Sequence, residues 1–598
     1  MGLWREGPVG LGHRMRWTTP ESLHESLPFS RPSERLAITA DARLDNREDL
    51  IASLNVTDHA ISDSTLILLA YDRWGDTCPE KLLGDFAFVI WDGRRQALLC
   101  ARDPMGVKPF YYHHQPDRFF AFASEIKALL CLAEIPRRLN EERVADYLVP
   151  ILEDMEATFF RDIVRLPPGH RLLLDSRGLA LQRYWSLDPS REMRLDSDEA
   201  YAEAFRSLFS DAVRAGLRSA YPVGSLLSGG LDSSSITCTA RSLIAKNGGK
   251  PLHTFSAIFD DVPECDERQF IKHVVDQGGL DAHYVRADRL SPLTDLDRVL
   301  WHEDEPFYAP NLYMHWGLFK SAQEQSVRVL FDGFDGDSTV SHGMATLTEL
   351  ASSGRWIALA AELIGMSRHG RRSGWDGLRS YVIGPMLPDS MRRAWRSLRR
   401  RPVERSEGNS TIRSEFADRI GLAERLHYWQ GDRRKPAHTA REEHYRRLTW
   451  GVIPFALEVV DRAAAAFSIE PRYPFFDRRL VEFCLALPPE QKLHKGWSRV
   501  VLRRAMAGTL PAVIQWRGGK TKLGSNFDHG LFTFDRKFLD YIILKFPTVI
   551  ELYVDIGALR RVYERYLIRP NVSDAMMVWK AATLGLWLGR TGLQPETR

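Results

Sequence analysis

The sequence predicts an α/β protein with two domains, and three observations support this prediction. The chain has 598 residues, more than one hydrophobic core usually organises. Its first third contains short apolar or alternating segments separated by turn residues, whereas the chain beyond residue 220 alternates apolar strands with helical segments. Near the start of that second part, a glycine- and serine-rich turn joins an apolar run to a helical run, which is typical of a ligand-binding loop in a parallel sheet.

Composition excludes several classes of protein. Apolar residues make up 44% of the chain, charged residues 27%, and the net charge is +3, which favours neither nucleic acid nor membrane as a partner. The sequence contains neither an apolar run long enough to span a bilayer nor a signal peptide at its start. Six dispersed cysteines without metal-ligand spacing predict a reduced protein without structural zinc. We therefore expect a cytoplasmic protein.

The first part of the chain reads as a layered arrangement of strands and one clear helix. Asp63 to Trp74 has helical spacing, with Asp63 as a possible N-cap. Layers of helix and sheet indicate an α/β sandwich. The predicted strands are Ala37 to Ala40, Phe86 to Trp91, Ala97 to Ala101, Phe110 to Tyr112 and Phe119 to Phe122.

The turn Ser228-Gly229-Gly230-Leu231-Asp232-Ser233-Ser234 is the strongest functional signal. Backbone N–H groups at a helix N-terminus bind phosphate oxygens, the serines can donate hydrogen bonds, and Asp232 can hold Mg²⁺ over the phosphates. An ordinary strand-to-helix turn is the alternative. The loop has no Walker A lysine. Its S-G-G-x-D-S pattern resembles the pyrophosphate loop of enzymes that split ATP into AMP and pyrophosphate, such as the asparagine, argininosuccinate and GMP synthetases.

The second part predicts a parallel sheet whose carboxyl ends form one crevice. Strands are expected over Leu252 to Phe259, His283 to Arg286 and Val327 to Phe331, with a helix over Glu267 to Gln277. Ligands bind at the carboxyl ends of such strands. The segments at these ends are Ser228 to Ser233, Phe255-Ser256, and Asp332 to Asp337.

Longer segments resemble the glutamine-dependent asparagine synthetases. Gly7 to Arg14, Leu83 to Asp92 and Ala101 to Tyr112 resemble their glutaminase half, which has an N-terminal-nucleophile (Ntn) hydrolase fold. Trp301 to Phe307 and Val460 to Phe483 resemble their ATP pyrophosphatase half. The resemblance implies an αββα sandwich over residues 1–190, degenerate as a glutaminase, and a parallel-sheet adenylating domain over residues 191–598.

Several positions depart from that family. Residue 2 is glycine, the first cysteine is Cys78, and the positions that correspond to the glutamine clamp are Met15 and Ala40-Asp41-Ala42. We therefore expect no glutaminase chemistry. Phe334 replaces the family's first glutamate in the Asp332 to Ser338 segment, so the substrate side of the crevice is apolar.

The resemblance also implies a role for each site residue. Asp232 and Asp337 bind Mg²⁺, and Lys520 stabilises the reaction intermediate, with Lys522 as the alternative. Asp461 is either a structural salt bridge or the carboxylate that faces the adenylated substrate, whereas Glu470, Asp477 and Glu482 read as structural ion pairs. The nucleotide-binding residues are Ser228, Gly229, Gly230, Asp232 and Ser233 around pyrophosphate, Phe255 and Ser256 beside adenine, and Gly333 in the second loop.

Within this group the chain resembles the lasso-peptide macrolactam synthetases, and it is also similar to β-lactam synthetase. The segments that carry this resemblance are Trp17 to Ser22, Ile38 to Arg47 and Arg517 to Lys520. The resemblance implies ATP and Mg²⁺ as cofactors and a precursor peptide, a leader-binding protein and a leader protease as partners. The alternatives are an ammonia-dependent asparagine synthetase or other amidotransferase, and a non-catalytic scaffold. The arginine-rich segment 368–405 is interpreted as a solvated helical face, with a surface that receives an acidic peptide or partner as the alternative.

Overall fold

The structure of the protein is a computed structural model that describes residues 1–293, 295–369, 374–387, 391, 410–431, 435–519, 521, 523–545 and 549–593. The first 190 residues contain antiparallel strands and short helices. The strands are β1 (Gly2–Glu6), β2 (Val9–His13), β3 (Phe29–Arg31), β4 (Leu36–Leu44), β5 (Gly84–Asp92), β6 (Ala97–Arg102), β7 (Tyr111–Gln115), β8 (Phe119–Ala123), β9 (Val164–Arg165), β10 (His170–Asp175) and β11 (Gly178–Arg183). The helices are α1 (Arg47–Ser53), α2 (Asp63–Trp74), α3 (Ile126–Leu129) and α4 (Glu141–Leu148).

The N-terminal strands form a sandwich, as the sequence predicts. A six-stranded antiparallel sheet has the order β11-β10-β6-β5-β4-β3, and a three-stranded sheet has the order β8-β7-β9. Alternate residues of β5 face opposite sides: Phe88 packs with α2 in one cluster, and Val89 packs with residues of the smaller sheet in another. Every residue from Phe86 to Asp92 is buried, so both faces of the sheet are covered.

One local prediction is wrong. The helix over Asp63–Trp74 is capped by Ser62, whose hydroxyl accepts a hydrogen bond from the Thr65 N–H at 3.2 Å. Asp63 is instead buried and ion-paired with Arg47 and Arg218. The Asp63 carboxylate binds Arg47 and Arg218 from other segments of the chain, and Ser62 caps the helix in its place.

The remainder of the chain is built around a parallel sheet. Its strands are β12 (Val223–Leu226), β13 (Leu252–Ile258), β14 (Leu280–Arg286), β15 (Val329–Phe331) and β16 (Glu470–Arg472), followed by the hairpin β17 (Leu493–His494) and β18 (Trp497–Ser498). The helices are α5 (Asp198–Gly216), α6 (Leu231–Lys246), α7 (Arg268–Val275), α8 (Leu296–Glu303), α9 (Leu312–Glu324), α10 (Gly336–Val340), α11 (Thr346–Ser352), α12 (Trp356–Arg368), α13 (Gly374–Leu378), α14 (Gly384–Met386), α15 (Ser414–Arg419), α16 (Leu422–Gln430), α17 (Ala440–Leu448), α18 (Val452–Ala465), α19 (Arg478–Ala486), α20 (Pro489–Lys492), α21 (Val500–Ala505), α22 (Ala512–Gln515), α23 (Gly524–Thr533), α24 (Arg536–Asp540), α25 (Ile556–Ile568) and α26 (Val572–Thr591).

The sheet order is β14-β13-β12-β15-β16, and every neighbouring pair is parallel. Leu252 and Phe331 pack with α5 and α6 on one face, whereas Phe255 and Leu330 pack with α9 and α18 on the other. Both faces are therefore covered by helices, which confirms the predicted α/β architecture. Between β11 and α5 the chain passes from one part to the other, and the boundary at residue 190 stays a prediction.

None of the helices in the described part of the chain is long and apolar enough to cross a membrane.

A buried ion network joins the two parts. Glu458 on α18 accepts hydrogen bonds from Arg102 Nη2 at 2.7 Å, Arg165 Nε at 3.0 Å and Tyr111 Oη at 2.9 Å. All four side chains are buried. Burial alone raises the pKa of Glu458, but the charges of Arg165 and Arg102 outweigh it and lower the pKa to about 2. The carboxylate is thus compensated, and removing it would leave buried Arg102 without its ion-pair partner and Arg165 with Glu305 alone.

We predict that Glu458→Ala lowers the free energy of unfolding by about 3–5 kcal/mol, measured by urea denaturation, because it removes the acid that pairs with Arg102 and one of the two acids that pair with Arg165, the other being Glu305. Glu142→Ala is the control: Glu142 pairs with Arg425 but is 62% exposed, so a loss below about 1 kcal/mol is expected.

The difference in unfolding free energy between the wild type and Glu458→Ala should also depend on pH. Because the folded-state pKa of about 2 lies below the ordinary value of 4.5, the contribution of Glu458 is complete above pH 4.5 and is lost as the pH falls through 2. The stability difference between the wild type and Glu458→Ala should narrow over that range. A difference that is already small at pH 7 would contradict the role given to this network.

Candidate active site

The loop after β12 is a tight turn that only glycine permits at one position. Gly229 has a φ of +68°, and a Cβ placed on it would lie 2.7 Å from the Cβ of Phe270. The Ser233 hydroxyl accepts a hydrogen bond from the Ser228 N–H at 3.2 Å and lies 3.0 Å from the Ser228 hydroxyl. The turn therefore wraps around the first residues of α6, as a phosphate-binding loop does.

The loop after β15 contacts this turn directly. A Cβ placed on Gly333 would lie 2.9 Å from the backbone nitrogen of Ser233, and one on Gly336 would lie 3.1 Å from Asp232 Cγ. Strands β12 and β15 are neighbours in the sheet, so their carboxyl ends deliver both loops to one place. The structure thus brings the predicted residues of the two loops together.

Phe255 and Ser256 lie on the next strand and border the first loop. The Leu227 N–H donates a hydrogen bond to the Phe255 carbonyl at 3.0 Å. Both side chains are buried, with exposures of 0% for Phe255 and 2% for Ser256. Neither residue therefore exposes appreciable surface to the crevice, and the contact with adenine stays a prediction.

The two predicted metal ligands are half-buried carboxylates with basic neighbours that the sequence did not reveal. Asp232 is ion-paired with Arg499, whose Nη1 lies 2.5 Å and 2.8 Å from the two carboxylate oxygens. Asp337 Oδ2 lies 3.3 Å from His342 Nε2. Arg499 is 267 residues from Asp232 in the chain, so no local pattern predicts the pair.

These carboxylates fit a magnesium site. The Asp232 and Asp337 side chains are 15% and 23% exposed and stand on loops that touch. Mg²⁺ needs one or two carboxylates when phosphate oxygens and water complete its shell. Asp335, with a φ of +49°, adds a third acid, and burial together with the neighbouring Asp337 raises its pKa to about 7.

Phe334 and Asp332 form the inner wall of the second loop. The Phe334 ring packs against Phe476 with centroids 6.4 Å apart. The Asp332 carboxylate accepts a hydrogen bond from the Phe334 N–H at 2.9 Å, and burial raises the pKa of Asp332. The position that the family fills with a glutamate therefore presents an aromatic ring.

Asp461 lies at the boundary between the two parts of the chain. Its carboxylate is buried, 3.5 Å from Arg16 Nη2 and 3.7 Å from Lys108 Nζ. Lys108 Nζ also lies 3.2 Å from Asp41. These contacts match the structural salt bridge, the first of the two roles weighed for Asp461. The three other acids also have ion-pair partners within 3.0 Å: Glu470 pairs with Arg472, Asp477 with Arg479, and Glu482 with Arg478.

Lys520 and Lys522 lie outside the described residues, but their neighbours lie against the first loop. Arg517 Nη1 donates to the Gly229 carbonyl at 3.0 Å, and its guanidinium lies 3.7 Å from the centre of the Phe270 ring. Thr521 Oγ1 donates to Glu267 at 2.6 Å. In the arginine-rich segment, residues 370–373, 388–390 and 392–405 also lie outside the described residues, so its interpretation stays a prediction.

An aromatic groove lies on the two segments that supply Arg499 and Arg517. Trp497 and Trp516 stand edge to face with centroids 5.3 Å apart, and Trp516 is 40% exposed. Val500 and Arg504 line the groove beside them. In the chain, Trp497 lies two residues before Arg499, which pairs with Asp232, and Trp516 directly precedes Arg517, which donates to the Gly229 carbonyl.

The cysteines are poor candidates for a glutaminase nucleophile. Cys78 and Cys100 are buried, and burial raises the pKa of both thiols. At the clamp positions, Asp41 pairs with Lys108 and Arg16. The clamp segment therefore carries an acid that is held by two basic side chains.

Comparison with known proteins agrees with this geometry. The chain is 28% identical over 531 residues to a glutamine-hydrolysing asparagine synthetase 3 of Bacillus subtilis, covering 86% of this chain and 80% of that protein. It is 26% identical over 493 residues to the amidase chry2 of Gibberella zeae, covering 74% and 70% of the two chains. It is 29% identical over 316 residues to a putative asparagine synthetase 2 of Methanocaldococcus jannaschii, covering 52% and 60%.

Two family models match nearly the whole chain. The glutamine amidotransferase domain matches residues 1–185, and asparagine synthase matches residues 204–589. They confirm the predicted fold class of an Ntn-hydrolase-like sandwich followed by a parallel-sheet synthetase domain. Since the second match alone spans more than half of the residues, the chain belongs to the asparagine synthase family of ATP-dependent carbon–nitrogen ligases.

Proposed function

We propose that this ligase closes the isopeptide macrolactam ring of a lasso peptide by adenylating an Asp or Glu side chain of a precursor peptide. The observation that carries this proposal is an asymmetry between the two parts of the chain. The two loops of the ATP crevice are in contact, whereas the positions of the glutamine clamp hold Met15 and Ala40-Asp41-Ala42, with Asp41 bound to Lys108. Because glutamine is not expected to supply ammonia, the amine that displaces AMP is proposed to come from the peptide substrate itself.

The substrate side of the crevice supports a peptide rather than a small polar amino acid. Phe334 stands where the family has a glutamate, and the groove at Trp497 and Trp516 lies beside the loop of Arg517. Aromatic side chains supply rigid contact area for a peptide with little entropy loss. A ring-closing enzyme needs that area, because it must hold a folded peptide with its amine near its own activated carboxyl group.

The chemistry has two displacement steps. A carboxylate oxygen attacks the α-phosphorus of ATP and forms an acyl-adenylate, while the bond from that phosphorus to pyrophosphate breaks. The amine nitrogen of the peptide attacks the carbonyl carbon, AMP leaves with the electrons of the C–O bond, and the nitrogen loses a proton to solvent. Only the N-terminal amine and one side-chain carboxyl group of the peptide change.

The residues act by binding and by charge. The Ser228, Gly229, Gly230 and Ser233 turn would bind the departing pyrophosphate, and Asp232 with Asp337 would hold Mg²⁺, which supplies positive charge to the phosphates. Lys520 is proposed to stabilise charge at the α-phosphorus. A leader-binding protein and a leader protease are proposed as partners that deliver the precursor.

The decisive experiment compares two substrate sets. With ATP, Mg²⁺ and the leader-free core of a precursor peptide encoded beside its gene, we expect AMP, pyrophosphate and a product lighter than that core by one water, measured by mass spectrometry. The same core peptide with an acetylated N-terminus is the matched control and should give no ring. AMP and asparagine from aspartate and ammonium, with no reaction of the peptide, would overturn the proposal. That result would establish the alternative, an ammonia-dependent asparagine synthetase, which the similarity to the Bacillus subtilis protein favours.

We predict that Gly333→Ala reduces ATP–pyrophosphate exchange by about 10- to 100-fold, since the new Cβ displaces Ser233 and misaligns the phosphate loop. The contact that forces this is 2.9 Å to a backbone nitrogen, which cannot rotate away. Gly589→Ala is the control, because a Cβ there meets nothing within 4 Å. Equal exchange rates in both variants, each with native circular dichroism, would show that the two loops do not form one nucleotide site.

A further inference from the structure

Two histidines and an aspartate converge on the edge of the parallel sheet. His253 is the second residue of β13 and Asp281 the second residue of the edge strand β14, and the two are paired in register. His283 follows two residues after Asp281, on the same face. His253 Nδ1 lies 3.1 Å from His283 Nε2 and 3.3 Å from Asp281 Oδ2, and His283 Nε2 lies 3.6 Å from Asp281 Oδ2.

We propose that His253, Asp281 and His283 bind a Zn²⁺ ion, with water as the fourth ligand, and that this ion clamps the edge strand β14 to β13. In a four-coordinate zinc site with bonds of about 2.0–2.2 Å, neighbouring ligand atoms stand about 3.3–3.6 Å apart at the corners of a tetrahedron. The three distances in this cluster, 3.1, 3.3 and 3.6 Å, are close to those of one tetrahedral face.

Hydrogen bonding alone accounts for the cluster less well. His253 Nδ1 faces both other ligand atoms, yet a ring nitrogen has either one hydrogen or one lone pair to offer. Three atoms that all face one another share a common centre, which a cation fills. In the described residues, Asp281 has ion pairs with these two histidines and with neither lysine nor arginine. Its charge is therefore available to a metal.

The surroundings hold the ligands in place and leave one side open. The His283 ring stacks on Phe255 with centroids 5.0 Å apart and an interplanar angle of 16°, and on His253 at 5.4 Å. The side chains of His253 and His283 are 22% and 19% exposed, whereas Asp281 is 53% exposed. Stacking fixes the imidazoles, and the open side admits the ion and a water ligand.

The cluster is separate from the nucleotide crevice. It lies at the amino-terminal ends of β13 and β14, whereas the Ser228 to Ser233 loop lies at the carboxyl end of β12. The donor set also selects the metal: two imidazoles and one carboxylate suit zinc or copper, whereas Mg²⁺ prefers oxygen ligands alone. The prediction of a protein without structural zinc rests on the spacing of the cysteines. That spacing cannot reveal a site built from histidines on neighbouring strands.

The test uses the full-length protein after chelation and dialysis, with excess Mg²⁺ to occupy the crevice. We expect titration calorimetry with ZnCl₂ to show one tight equivalent, and Co²⁺ to give the visible absorption of a tetrahedral nitrogen and oxygen site without the sulfur charge-transfer band of a cysteine ligand. His283→Ala and Asp281→Asn should each weaken Zn²⁺ binding at least tenfold and remove the Zn²⁺-dependent rise in unfolding temperature.

His59→Ala is the matched control, because His59 faces a single carboxylate, that of Glu48 at 3.3 Å, and both side chains are exposed. It should leave zinc affinity unchanged. Zinc affinity and Co²⁺ spectra that are the same in the wild type, His283→Ala and Asp281→Asn would overturn the proposal, as would a Co²⁺ spectrum with sulfur ligation. Metal-free circular dichroism verifies that each variant is folded, so a loss of binding reports on the ligands.

Discussion

The nucleotide site depends on the close approach of two backbone segments. At Gly333 the chain passes so near Ser233 that a single additional carbon would lie within 2.9 Å of its backbone nitrogen. A carbon added at Gly336 would lie 3.1 Å from Asp232 Cγ. The adjacency of β12 and β15 makes this approach possible, and the glycines allow it. Without it, the carboxylates of Asp232 and Asp337 would lie farther apart in space.

The N-terminal part of the chain serves the synthetase part through charge. Arg102 and Arg165 enclose Glu458, and Lys108 with Arg16 faces Asp461. These pairs are buried, so they fix the relative position of the groups at both ends. The glutaminase-like domain is still required for the stability of the synthetase part, although its clamp positions have changed. It supplies the basic side chains that pair with the acids of α18. This explains why the fold persists where its ordinary chemistry is not expected.

Much of the fold follows from local patterns, whereas the site depends on long-range pairs. The helix over Asp63–Trp74 and the strand-loop-helix at Ser228 agree with their periodicity and turn chemistry. The ion pair between Arg499 and Asp232 could not be predicted from the sequence, because the two residues are 267 positions apart. It also depends on a left-handed backbone at Arg499, which has a φ of +56°. The His253 and His283 pair was also missed, since register between strands is set by the folded sheet. The local pattern predicts Asp63 as an N-cap because a sequence pattern cannot show its ion pair with Arg218, which is distant in the chain.

The central claim is that ATP activates a carboxyl group as its adenylate. A precursor peptide whose Asp and Glu side-chain carboxyl groups carry a heavy oxygen isotope tests this directly, with mass spectrometry of the nucleotide products. The account predicts that one labelled oxygen appears in AMP, because the C–O bond of the acyl-adenylate breaks when the amine attacks. Label in inorganic phosphate with formation of ADP, or AMP without label, would contradict it.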